Sequence, residues 1–171
     1  MADPAATTRA DRVISVVRSQ LSPGVEVVSA VLRRHYVRST EISHWELTYS
    51  APTTVPSRVV AKWSSHPSGS GAREAQFYGM LQEHECRIHL ARLLGYSAFP
   101  DGELLVLKDL SPEFVPAVSR PSGPIPPERN IAVFEALRAV HCDLWETPRV
   151  REFDMKSLAL HQAVQLAARR E

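Results

Sequence analysis

Apolar positions recur along this chain in two periods, and the switches between them mark out its elements. Val13, Ile14, Val16, Val17 and Leu21 fall mainly on one helical face, so a first helix is predicted, capped by Thr7 or Thr8 and stopped by Ser22-Pro23-Gly24. The period then drops to two. Residues 25–32 and 42–49 read as an antiparallel pair of strands, the second setting Trp45, Leu47 and Tyr49 against Glu46 and Thr48 as a half-buried strand does. Residues 58–63 form a third strand, and a loop with Pro67, Gly69 and Gly71 leads into a helix from about Ala72 to about Glu85. Ala75, Phe77, Tyr78 and Leu81 give that helix its apolar spacing. Residues 88–96 and 103–110 are two further strands, joined through a Pro100-Asp101-Gly102 turn that suits a hairpin. The predicted order is α-β-β-β-α-β-β.

Residues 111–127 hold six prolines and one glycine in seventeen positions, which excludes both a sustained helix and a central strand and makes this stretch a linker. Beyond it Ile131, Phe134, Leu137, Val140, His141 and Leu144 step along one long amphipathic helix that stops before Pro148. A last helix is expected over 154–170, with apolar faces that need a partner. Four segments follow: a helix over 1–24, a sheet-bearing region over 25–110, the linker 111–127 and helices over 128–171. No repeats or low-complexity tracts occur.

With 171 residues, 44% of them hydrophobic, the chain can bury one core. Twenty basic residues against nineteen acidic ones leave a formal charge of +1, too balanced for a surface built around nucleic-acid phosphates or anionic lipid. No run of about 18 apolar residues and no secretory core near the start are found, so the expectation is a soluble, cytoplasmic protein with no membrane partner. In that setting Cys86 and Cys142 are expected as reduced thiols.

Candidate chemistry centres on Lys62, near the end of the third strand, and Glu74, in the first turn of the helix that follows. A lysine on a sheet can neutralise nucleotide phosphates, and a glutamate on a helix packed against that sheet can hold the ammonium in position. Other chemistries fail on spacing. Gly69-Ser-Gly-Ala-Arg-Glu74 ends in Glu where a dinucleotide loop wants Gly or Ala, and His84-Glu-Cys-Arg-Ile-His89 is not H-E-x-x-H. There is no P-loop motif and no nucleophile elbow, and the scattered His and Cys lack zinc spacing, so no metal site is assigned.

The surroundings of that pair resemble the aminoglycoside phosphotransferase and choline kinase-like branch of the protein kinase-like fold. Val59-Val-Ala-Lys62 is similar to its third-strand motif, and Arg73-Glu-Ala-Gln-Phe-Tyr78 to its helical Arg-Glu-x-x-Phe-Tyr. Leu104-Leu-Val-Leu-Lys-Asp-Leu110 resembles its fifth strand and hinge, and Leu137-Arg-Ala-Val-His141 with Trp145 the helix that opens its larger lobe. The likeness runs from about residue 25 to 146. It implies an α+β fold: a kinase-like N-lobe whose five-stranded antiparallel sheet has a helix between strands 3 and 4, followed by two helices of an incomplete helical lobe. It further implies ATP with magnesium as cofactors, with Lys62 on the phosphates, Glu74 pairing with Lys62 and Val60 over the adenine. Lys108, Asp109 and Leu110 would meet the adenine edge through their main chain, although Asp109 equally suits a strand-end cap.

Two departures shape the functional expectation. The first connection, residues 33–40, contains no glycine, whereas the family closes a Gly-rich loop over the phosphates; Arg33, Arg34 and Arg38 are the candidate substitutes. No catalytic loop is present, because His141-Cys-Asp143 sits in a helical pattern with Pro148 where H-x-D-x-x-x-x-N needs Asn, and Asp154 lacks the context of a metal-binding Asp. No catalytic residue is therefore assigned. The expectation is a truncated phosphotransferase that is inactive alone and would act on a small-molecule hydroxyl only in a full-length form. The alternative is a non-catalytic module that binds a nucleotide, or a protein through its exposed C-terminal helices.

Overall fold

The computed structural model describes residues 4–37, 40–65, 70–83 and 91–112, with positions 131, 134, 135 and 138. It forms two compact units, Met1–Glu83 with Leu90–Pro116, and His84–His89 with Ala117–Glu171. The first contains α1 (Pro4–Arg18), β1 (Val27–Val37), β2 (Glu41–Tyr49), β3 (Arg58–Ser64), α2 (Ser70–Glu83), β4 (Leu93–Phe99) and β5 (Gly102–Lys108). This is the predicted order of elements in an α+β architecture. In the second, Ile131, Phe134, Glu135 and Arg138 are helical and exposed. Residues 113–127 of the linker, both cysteines, Arg38, His141, Asp143, Asp154 and the last helix lie outside the described residues. No described helix is long and apolar enough to cross a membrane.

The five strands form one antiparallel sheet in the order β1-β2-β3-β5-β4. After α2 the chain returns at the far edge as β4, and β5 turns back to lie between β4 and β3. Pro100 and Asp101 make that turn, since Phe99 pairs with Gly102. Gly102 has φ near +156°, and a Cβ there would press on the Ser64 carbonyl and the Trp63 ring.

Alternation along the strands separates two faces. Trp45 and Leu47 of β2, Val59 and Ala61 of β3, Leu104 and Val106 of β5 and Leu94 of β4 form one buried layer, which α1 covers with Val13, Val16 and Val17. Ion pairs Arg9–Glu41 and Arg12–Asp101 tie α1 to the sheet. The Arg12 guanidinium also lies 4.5 Å from the Trp63 ring centre and 4.9 Å from that of Phe99, a stacked cation at the margin of this core. α1 is thus one wall of the sheet-bearing unit. On the other face α2 packs against β4 and β5, where Met80, Leu81 and Leu105 are buried. Glu103 accepts the Gly71 amide at 2.9 Å, placing a carboxylate at the α2 N-terminus where the helix dipole favours it.

Three boundaries differ from the sequence reading. The first helix starts at Pro4, a residue suited to an opening turn, so Thr7 and Thr8 lie inside it and do not cap it. The first strand continues to Val37, because Arg33 pairs with Glu46 and His35 with Glu41 across the hairpin, and an edge strand tolerates charged side chains. β4 begins at Leu93, five residues later than its apolar run, and is bent by a register shift between Leu93 and Gly95. A Cβ on Gly95 would fall 2.7 Å from Val16 Cγ1, so close packing of α1 calls for glycine there.

Candidate functional site

Of the predicted nucleotide residues, Val60 and Lys62 lie on the face turned away from α1, by the same alternation that builds the core. On β3, Val59 and Ala61 point into the buried layer, which sends Val60 and Lys62 to the opposite side. Register then fixes their neighbours: Lys62 stands between Ile42 of β2 and Leu105 of β5, and Val60 between His44 and Leu107.

Glu74 reaches this face from the opening turns of α2. Lys62 Nζ donates to Glu74 Oε2 at 2.5 Å, with the side chains 33% and 27% exposed. A pair so open to water adds at most about 1 kcal/mol to stability. One turn later, Tyr78 has its hydroxyl pKa raised by burial and by the Glu74 carboxylate. The structure therefore brings together the two residues singled out in the sequence, from a strand and a helix twelve positions apart.

The segment after β5 is arranged differently from a main-chain edge left open for a base. The Lys108 amide donates to the Arg92 carbonyl at 2.8 Å and the Asp109 amide to the Arg58 carbonyl at 3.0 Å, so both donors are engaged within the sheet. Leu110, half-buried, has a main chain that makes no such bond to a described residue. The Asp109 carboxylate is itself a hub. Its Oδ1 accepts the Ser111 amide at 2.8 Å, the strand-end cap its position suits, and its Oδ2 lies 3.0 Å from His44 Nδ1. Burial alone would raise its pKa, but the hydrogen bonds from His44 and Ser111 and the charge of the imidazole outweigh it and hold the carboxyl below the usual range. His44 was not singled out from the sequence; its signal there is a histidine on the polar phase of an alternating strand, which does not say what lies across from it.

Two of the arginines proposed as substitutes for a Gly-rich loop, Arg33 and Arg34, are not in a loop. Arg33 and Arg34 belong to β1, and the Arg33 guanidinium is paired with Glu46 across the hairpin at 2.5 Å. A pocket of about 270 Å³ exists on the α1 side, lined by Arg9, Arg12, Glu41, Trp63 and Asp101 among others, where the arginines pair with the acids. Lys62 is on the opposite face. Among the described residues no group of three or more His, Cys, Asp or Glu is placed to hold a metal ion. In comparisons with known proteins, no family model, no curated protein and no solved structure matches this chain.

Proposed function

We propose that this chain is the nucleotide-binding part of an ATP-dependent phosphotransferase of the aminoglycoside phosphotransferase and choline kinase-like kind, binding ATP without transferring its phosphoryl group. The observation that carries this reading is the Lys62–Glu74 pair, a strand lysine held at 2.5 Å by a helix glutamate on a face that also presents Val60 and Leu107. The ammonium suits the phosphates and the aliphatic side chains suit a base. Magnesium would come with the nucleotide, on its phosphates; the Asp and Asn residues that would orient it for transfer are not in the sequence, and no step is assigned to it. With a catalytic loop supplied, the acceptor would be a small-molecule hydroxyl. The alternative is a non-catalytic module that belongs to no phosphotransferase and binds a nucleotide on this face, or a protein.

Calorimetric titration with Mg-ATP tests this. Binding is expected for the wild-type chain, and Lys62→Met is expected to weaken it about tenfold or more, the loss of one charge-assisted contact. No binding, or binding indifferent to Lys62→Met, overturns the nucleotide site. Phosphoryl transfer by the 171-residue chain that vanishes in Lys62→Met overturns the statement that it does not catalyse.

A further inference from the structure

We infer that the Lys62 face takes nucleoside triphosphates without regard to their base; this rests on the nucleotide reading above and widens its ligand from ATP to the class. Reading a base takes two or more polar groups fixed along one of its edges, because discrimination comes from a wrong base leaving a donor or acceptor unpaired. Around Val60 and Leu107 the groups that the fold fixes are already used. The Lys108 and Asp109 amides donate to the Arg92 and Arg58 carbonyls at 2.8 and 3.0 Å. Each oxygen of the Asp109 carboxylate has its own partner, the Ser111 amide at 2.8 Å and His44 Nδ1 at 3.0 Å.

The polar groups that remain are isolated from one another. The main chain of half-buried Leu110 and the second ring nitrogen of His44 bond to no described residue. β3 stands between β2, which carries His44, and β5, which leads into Leu110. Two strand spacings set their main chains about 10 Å apart, so they do not share one base edge. Taken singly, neither discriminates. Adenine, guanine, cytosine and uracil each carry an N–H donor and a ring-nitrogen or carbonyl acceptor, so each can satisfy a lone donor or a lone acceptor, whichever role the His44 nitrogen takes. Arg34, across from His44 on β1, is exposed and stays with water where a base offers it nothing. The base is left to the aliphatic side chains of Val60 and Leu107, paired across β3 and β5, which meet the flat face that every base presents. Lys62 supplies the rest of the binding through phosphates that all four nucleotides share.

The test titrates the chain with the magnesium salts of ATP, GTP, CTP, UTP and tripolyphosphate. The four nucleotides are expected to bind within about fivefold of one another, and tripolyphosphate about tenfold more weakly, the loss of the base contact. Lys62→Met is expected to weaken all four nucleotides by the same factor, since they share its ammonium. A preference of more than about fivefold for any one base overturns the inference while leaving the nucleotide site standing. A Lys62→Met loss confined to ATP places the other nucleotides elsewhere and overturns it as well. Tripolyphosphate that binds no more weakly than the nucleotides takes the base out of the site, which also overturns it. No binding of any of the four nucleotides removes the site and the inference together. The wild-type series needs no variant, so it decides even where Lys62→Met does not fold.

Discussion

The Asp109 carboxylate, with 9% of its side chain exposed, is bonded to His44 on one oxygen and to the Ser111 amide on the other, and its acidity follows from that enclosure. Its pKa is lowered in the folded chain, so the stability it contributes is fully present above the ordinary carboxylate value of about 4 and is lost as pH falls through the lower folded value. Urea unfolding followed from pH 7 downward is expected to show this acid loss in the wild type and a flatter profile in Asp109→Asn. At neutral pH that variant is expected to be about 1–3 kcal/mol less stable, since the half-buried imidazole of His44 loses a charged acceptor. Tyr49 works in the opposite direction. Its hydroxyl donates to the Pro56 carbonyl at 2.8 Å, and burial pushes its pKa up to about 12. Its protonated form favours folding below the ordinary tyrosine value of about 10, and that contribution fades as pH climbs through the folded value. Alkaline absorbance titration is expected to show an ionisation near pH 12 that Tyr49→Phe deletes.

At the scale of elements, α1 decides how much of the sheet is core. Val13, Val16 and Val17 supply the helical side of a layer completed by β2, β3, β5 and the edge strand β4, and Val17 is fully buried. Val17→Ala is expected to lower the unfolding free energy by about 1–3 kcal/mol, the removed methyl groups plus the cavity they leave, read from the denaturant midpoint. The ion pairs that Arg9 and Arg12 make with Glu41 and Asp101 are partly exposed and secondary to this burial. The strands show why boundaries are harder to read than elements. The Trp45, Leu47 and Tyr49 phase of β2 is plain in sequence because one of its faces is buried and the other is not. β1 stands at the edge with exposed Val28, Val31 and Val37 among Arg33, Arg34 and His35. Its pattern therefore fades after Leu32 although its pairing continues to Val37 opposite Glu41.

For the molecule as a whole, the composition and the two periods established an α+β unit with the order α-β-β-β-α-β-β, because burying one face of a strand or helix requires a local, readable repeat. They also singled out Lys62 and Glu74, since a charged residue on the outward phase of an apolar strand and another early in the next helix are both visible locally. Register was not legible. That β5 lies between β3 and β4, that α1 covers one face, that Arg33 is committed to Glu46 and that His44 meets Asp109 from sixty-five positions away all depend on pairing between distant segments. The sequence determined which side chains alternate and which are charged. Tertiary structure alone decided which of them face one another, because a polar side chain takes its role from the group the fold sets across from it, and no local repeat records that neighbour.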